Sequence, residues 1–102
     1  MTAAASMFDR VKEELDLLNR HIEMLKVTKE HQPIGIIRLS EVLGMPKHKV
    51  RYSLKMLENE GLIVATTEGA MLSEGYVRFM DELPSRMNEL REQLEVISST
   101  LE

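Results

Sequence analysis

Residues 39–63 read LSEVLGMPKHKVRYSLKMLENEGLI, and the way this stretch folds decides the rest of the chain. Ile36, Leu39, Val42 and Leu43 recur at helical spacing, which predicts a short helix over about 36–43 with those residues turned inward. Gly44 follows as a helix stop, Met45 as an apolar plug, and Pro46 stands where a helix begins, since its missing N–H costs nothing there. The next helix is expected over about 46–60. Val50, Ser53, Leu54 and Leu57 fall on one side of it, and Lys47, His48, Lys49, Arg51, Tyr52 and Lys55 spread over the other half. Gly61 ends it, and an apolar, strand-forming run comes next.

The acids and bases of this second helix are placed against its dipole. Its first turns carry Lys47, Lys49 and Arg51, whereas Glu58 and Glu60 stand at the far end. A helix macrodipole prefers the opposite order, by a few tenths of a kcal/mol per charge. An external anion at the positive turns would remove that mismatch, so the arrangement points to a polyanionic partner.

Working outward, Leu62 to Thr66 is β-rich, Thr67–Gly69 a turn, and Ala70 to Leu72 the return strand of a hairpin. Upstream, Ser6 is the expected N-cap of a helix over 6–31, with residues 1–5 a flexible tail. Phe8, Val11, Leu15, Leu18, Ile22 and Leu25 follow at alternating spacings of three and four, a heptad seam with charged residues on the other faces. Pro33 closes that helix, and Ile34 is expected as a strand edge. Downstream, over 74–102, Tyr76, Met80, Leu83, Met87, Leu90, Leu94, Ile97 and Leu101 form a longer seam. Its phase runs unbroken through Pro84, which predicts a kinked continuous helix, with a helix restarting at Pro84 as the alternative. Met45, Met80 and Met87 are expected to serve as packing residues. The fold class is therefore mainly α with a small β-hairpin, in one domain of 102 residues whose central unit spans 33–75.

The chain carries a net charge of −4, but the charge is unevenly spread. Residues 31–56 hold Arg38, Lys47, Lys49, Arg51 and Lys55 against Glu41 alone, while Glu58, Glu60, Glu68 and Glu74 make residues 57–75 purely acidic. Association follows the local field more than the total. There is no cysteine, which excludes disulfides and thiolate metal sites. No apolar run reaches the ~18 residues of a membrane span, and MTAAAS lacks the basic flank and apolar core of a secretory leader. A cytoplasmic location without membrane contact is expected.

With these residues in hand, the chain resembles the winged helix-turn-helix transcriptional regulators of MarR- and ArsR-like architecture, with small archaeal regulators closest. The resemblance covers about residues 33–75. It rests on RLSEVLGMP for the supporting helix and turn, HKVRYSLKMLENEGLI for the second helix and strand, and LSEGYVRF for the exit into the last helix. It implies a homodimer on double-stranded DNA with the helix over 46–60 in the major groove, and Lys47, His48, Lys49, Arg51, Tyr52 and Lys55 at the contacting positions. Family wings often carry a basic tip. Here the tip is TTEGA, so the helix rather than the wing is the expected contact.

Chemistry favours Lys47, Lys49 and Lys55 as phosphate contacts and Arg51 as a bidentate reader of guanine. The two seams could pair within one chain, as a lid on the central unit, or between chains. A strip of roughly 26 residues is about 39 Å long, more than a domain of this size covers, so Phe8, Val11, Leu15, Leu18, Met87, Leu90, Leu94, Ile97 and Leu101 are the expected dimerisation residues. An alternative is a winged-helix protein–protein module of a transcription or chromosome-organising assembly, which would suit the acidic wing. Enzyme readings find no support: His21, His31 and His48 are scattered, neighbouring carboxylates diverge on helices, and each glycine stands alone. No cofactor or metal site is expected, and no residue cluster marks an effector pocket.

Overall fold

The computed structural model describes residues 3–102. Its elements are α1 (Ala3–His31), α2 (Ile36–Leu43), α3 (Lys47–Asn59), β1 (Ile63–Thr66), β2 (Gly69–Leu72) and α4 (Gly75–Ser99). Three helices, an antiparallel hairpin and a long final helix make a mainly helical domain in a winged-helix-like arrangement. Among the described residues no helix is long and apolar enough to cross a membrane.

The core gathers around α3. Val50, Ser53 and Leu57 are buried on its inner stripe, and Met24 and Leu25 of α1, Leu39 of α2, Leu62, Ile63, Ala70 and Tyr76 close around them. Val42 departs from expectation: it is exposed, because it lies at the edge of the α2 stripe that Leu39 and Leu43 centre. Ser6 is not an N-cap either, since α1 already runs from Ala3 and Ser6 lies within it. Of the tail expected over 1–5, residues 1 and 2 lie outside the described residues, and 3–5 form the opening turn of α1.

The α2–α3 turn is closed by one side chain. The Ser40 hydroxyl donates to the Met45 carbonyl at 2.6 Å, and the Ser40 carbonyl accepts from Met45 N–H at 3.2 Å. Gly44 caps α2 with φ 63°, and Pro46, in extended conformation, is the N-cap of α3 rather than its first residue. At the other end of α3, Leu62 N–H reaches the Leu57 carbonyl (2.9 Å) and Gly61 N–H the Glu58 carbonyl (3.0 Å), with Gly61 at φ 76°. This is the paired bonding of a Schellman stop, sealed by the two buried leucines.

The hairpin pairs Ile63 with Leu72 and Thr66 with Gly69, leaving Thr67 and Glu68 as a two-residue turn. The chain just after α1 ties down its second edge. Ile34 and Ala70 exchange both backbone hydrogen bonds (3.0 and 2.7 Å), and Leu72 N–H donates to the Gln32 side-chain oxygen at 2.9 Å. Both sides of β2 are thereby satisfied, and Ile34 acts as the predicted strand edge.

Helix α4 runs unbroken through Pro84. Tyr76 is buried and Phe79 and Met80 pack against the core, but every residue from Pro84 onward is exposed. The molecule is accordingly elongated, 54 × 34 × 20 Å, with a radius of gyration of 16.2 Å where a compact 100-residue domain has about 13 Å. Met87, expected as a packing residue, is among those left outside.

Gly69 is the tightest backbone position. It sits at φ 133°, and a Cβ there would stand 2.5 Å from the Ile34 carbonyl carbon. Gly69→Ala should therefore destabilise the protein by about 2 kcal/mol or more. Gly35→Ala, at a position with nothing within 4 Å of the added methyl, should change the thermal midpoint little. Thermal denaturation of the two variants side by side checks the difference.

Candidate nucleic-acid interface

The same stripe that buries Val50, Ser53 and Leu57 turns the opposite half of α3 to solvent. Lys47, His48, Lys49, Arg51, Tyr52 and Lys55 are all exposed. The ion pairs among the described residues are Arg38–Glu41 (3.4 Å) and Arg78–Glu82 (3.2 Å), neither on α3. The four cations of the helix thus keep their charge unneutralised by any carboxylate of the described chain. No acid stands in the first turn of α3, and no side chain caps its N-terminus.

The six side chains divide into groups. Arg51 and Lys55, with Leu54 and Glu58, border a groove of about 460 Å³ between α3 and the hairpin, whose floor includes Ile34, Ile63, Ala65 and Ala70. Tyr52 lies on the other flank, where the guanidinium of Arg20 stands 5.9 Å from its ring centroid. One face of that ring is therefore occupied from within the protein. Lys47, His48 and Lys49 form the exposed first turn.

Arg20 of α1 is a neighbour of this face that the heptad spacing does not single out. One of the charged residues off the α1 seam, it is partly buried, and its Nε donates to the Ser53 hydroxyl at 2.8 Å. A signal existed: Ser53 is a polar residue between Val50 and Leu57 on a buried stripe, and a fully buried hydroxyl requires a partner. Nothing in the α1 spacing, however, singles out Arg20 as that partner.

Beside it, His21 has a buried Nε2 without a hydrogen-bond partner. Burial, and next the Arg20 charge, hold its pKa below the usual histidine value, while Glu60 pulls the other way. At the hairpin tip the Thr66 hydroxyl donates to the Gly69 carbonyl at 2.6 Å and accepts from Glu68 N–H at 3.2 Å. The tip is compact, and its one ionisable side chain, Glu68, is exposed and acidic.

Most of the residues expected at a dimer interface are exposed. Phe8, Val11 and Leu15 are exposed on the first half of α1, as are Met87, Leu90, Leu94, Ile97 and Leu101 on and just beyond α4; Leu18 is half-buried. Phe8 is 72% exposed and Ile97 60%, so neither half-seam acts as a lid on its own core. Among the described residues no cluster of His, Asp and Glu is arranged to hold a metal ion. The sequence matches no family model and no curated protein.

The His21 environment makes stability depend on pH. Its folded pKa lies below its unfolded one, so the unfolded chain takes up the proton first as pH falls. The histidine contribution is thus complete above about pH 6.5 and is lost as pH falls from there through the folded pKa. His21→Leu removes the unpartnered nitrogen and should leave stability at pH 7.5 unchanged or higher. It should also flatten the decline between pH 6.5 and 5, as followed by urea denaturation at both pH values.

Proposed function

We propose that the protein is a sequence-specific DNA-binding transcriptional regulator of winged helix-turn-helix type, acting in the cytoplasm as a homodimer with α3 in the major groove. The observation that carries this reading is the outer half of α3: Lys47, Lys49, Arg51 and Lys55 exposed, without a carboxylate partner among the described residues, on a helix gripped from behind by the core. A helix 10–12 Å across matches a major groove about 12 Å wide. Phosphates would supply the negative charge that the first turn lacks. Lys47, Lys49 and Lys55 hold phosphates in this reading, Arg51 reads guanine, and His48 and Tyr52 stand within reach of the backbone. The resemblance to MarR- and ArsR-like regulators of small archaeal type agrees with it.

One short helix binds weakly, and the exposed half-seams provide the means to double it. Paired copies can present two reading helices ~34 Å apart, one turn of DNA. A second reading, a protein–protein module, is favoured by a different surface. Val64 and Met71 face each other on the exposed side of the hairpin, next to the acidic tip.

Duplexes selected from random DNA should bind with a log–log salt slope of about −5 to −7 if each subunit neutralises three to four phosphates. A flat salt response would favour the protein–protein module instead. Arg51→Ala should cost about 1–3 kcal/mol and relax preference at one base pair, whereas uniform weakening over all sequences would make it a phosphate contact. Leu94→Glu should convert the dimer to monomer in sedimentation velocity; an unchanged dimer removes α4 from the interface.

A further inference from the structure

Arg20 touches neighbouring residues of α3 that face different ways. Ser53 belongs to the buried stripe and receives the Nε hydrogen bond, while Tyr52 belongs to the outer half and lies under the guanidinium. On a helix, adjacent residues stand about 100° apart around the axis. A planar group that engages both therefore resists rotation of α3 about its own axis, which an apolar contact at one of them would permit. That rotation decides which way Lys47, Lys49, Arg51 and Lys55 point. At a helix radius of ~6 Å, a turn of 10° moves a side chain by about 1 Å, beyond the tolerance of a recognition contact.

Arg20 lies two residues from both Leu18 and Ile22, about 200° around α1 from each, and so on the side of α1 opposite the heptad seam and toward α3. Arg20 has no carboxylate partner among the described residues. Its ordering therefore comes from Ser53 and Tyr52 and not from an ion pair.

We propose that Arg20 is a positioning residue: it sets the rotation of the reading helix against α1 and so governs base recognition. The role rests on the DNA-binding reading above. It predicts that specificity, more than affinity for DNA at large, depends on a residue that touches no base.

The test compares the full-length wild type with Arg20→Lys and Ser53→Ala. Arg20→Lys keeps the charge and loses the planar fork; Ser53→Ala removes the acceptor. Each is measured for binding to a selected duplex and a scrambled one across a salt series, for thermal midpoint, and for the NMR ring resonances of Tyr52 without DNA. Arg20→Lys is expected to lower the selected-to-scrambled affinity ratio roughly tenfold, the discrimination attached to one misplaced bidentate base contact. Ser53→Ala should lower it less, and both should shift the Tyr52 ring signals and lower the thermal midpoint, since each leaves a polar group without its partner, while the salt slope stays near wild type.

Equal loss on both duplexes, with a salt slope shallower by about one, would make Arg20 a phosphate contact and overturn the proposal. An unchanged ratio with a lowered midpoint would reduce it to a staple between helices and overturn it likewise. If the wild type binds neither duplex, the DNA reading itself fails and this role with it. Binding by the wild type with an unchanged ratio in the variants removes only the role of Arg20.

Discussion

The two-sidedness of α3 is the constraint on which the rest of the structure depends. Its inner stripe must satisfy three elements at once: α1 through Met24 and Leu25, α2 through Leu39, and the hairpin through Ile63 and Ala70. Every other feature serves to hold that stripe in register. The Ser40 turn delivers α3 at the right angle to α2, the paired bonds at Gly61 end it where the hairpin must start, and Gln32 and Ile34 anchor the hairpin back to the end of α1. Because the stripe is narrow, the remaining half of the helix is left to solvent, with its cations unpaired among the described residues. The same packing that stabilises the core produces the candidate interface.

A second consequence concerns the long helices. Both begin or end in the core and then leave it. α1 enters the core over its last turns, through Met24, Leu25 and Thr28, and α4 over its first, through Tyr76 with Phe79 and Met80 partly covered. An apolar seam that continues through water over several turns is unfavourable for an isolated chain, since each uncovered aliphatic side chain forgoes ~1.5–3 kcal/mol of burial. Exposed strips of this length mark association surfaces more often than idle ones. The proposed pairing and the proposed reading head share α1, which carries an exposed half-seam on one side and Arg20 on the side toward α3.

Much of this was legible in the residues. The α2 limits, the Gly44 and Gly61 stops, the hairpin and the continuous α4 follow from local rules of spacing, capping and turn chemistry, which act over a few residues. The division of α3 into inner and outer halves follows from helical period alone. What stayed hidden was long-range or exceptional. Ser6 reads as a cap because serine favours that position, although the alanines at 3–5 are strong helix formers and the helix begins there. Val42 reads as inward because the period places it on the edge of the stripe, and only the angle at which α2 meets its neighbours decides that it stays out. Arg20 reads as solvated because its partner lies 33 residues away.

The sequence by itself determined which segments are helical, where they stop and which half of α3 carries positive charge, because periodicity and caps are properties of neighbouring residues. Only the tertiary structure decided how far along each heptad seam burial extends and which flank of α3 meets Arg20. The seams have the same spacing throughout. Whether a given turn is covered depends on where another helix happens to lie, and no residue can report that for its own position.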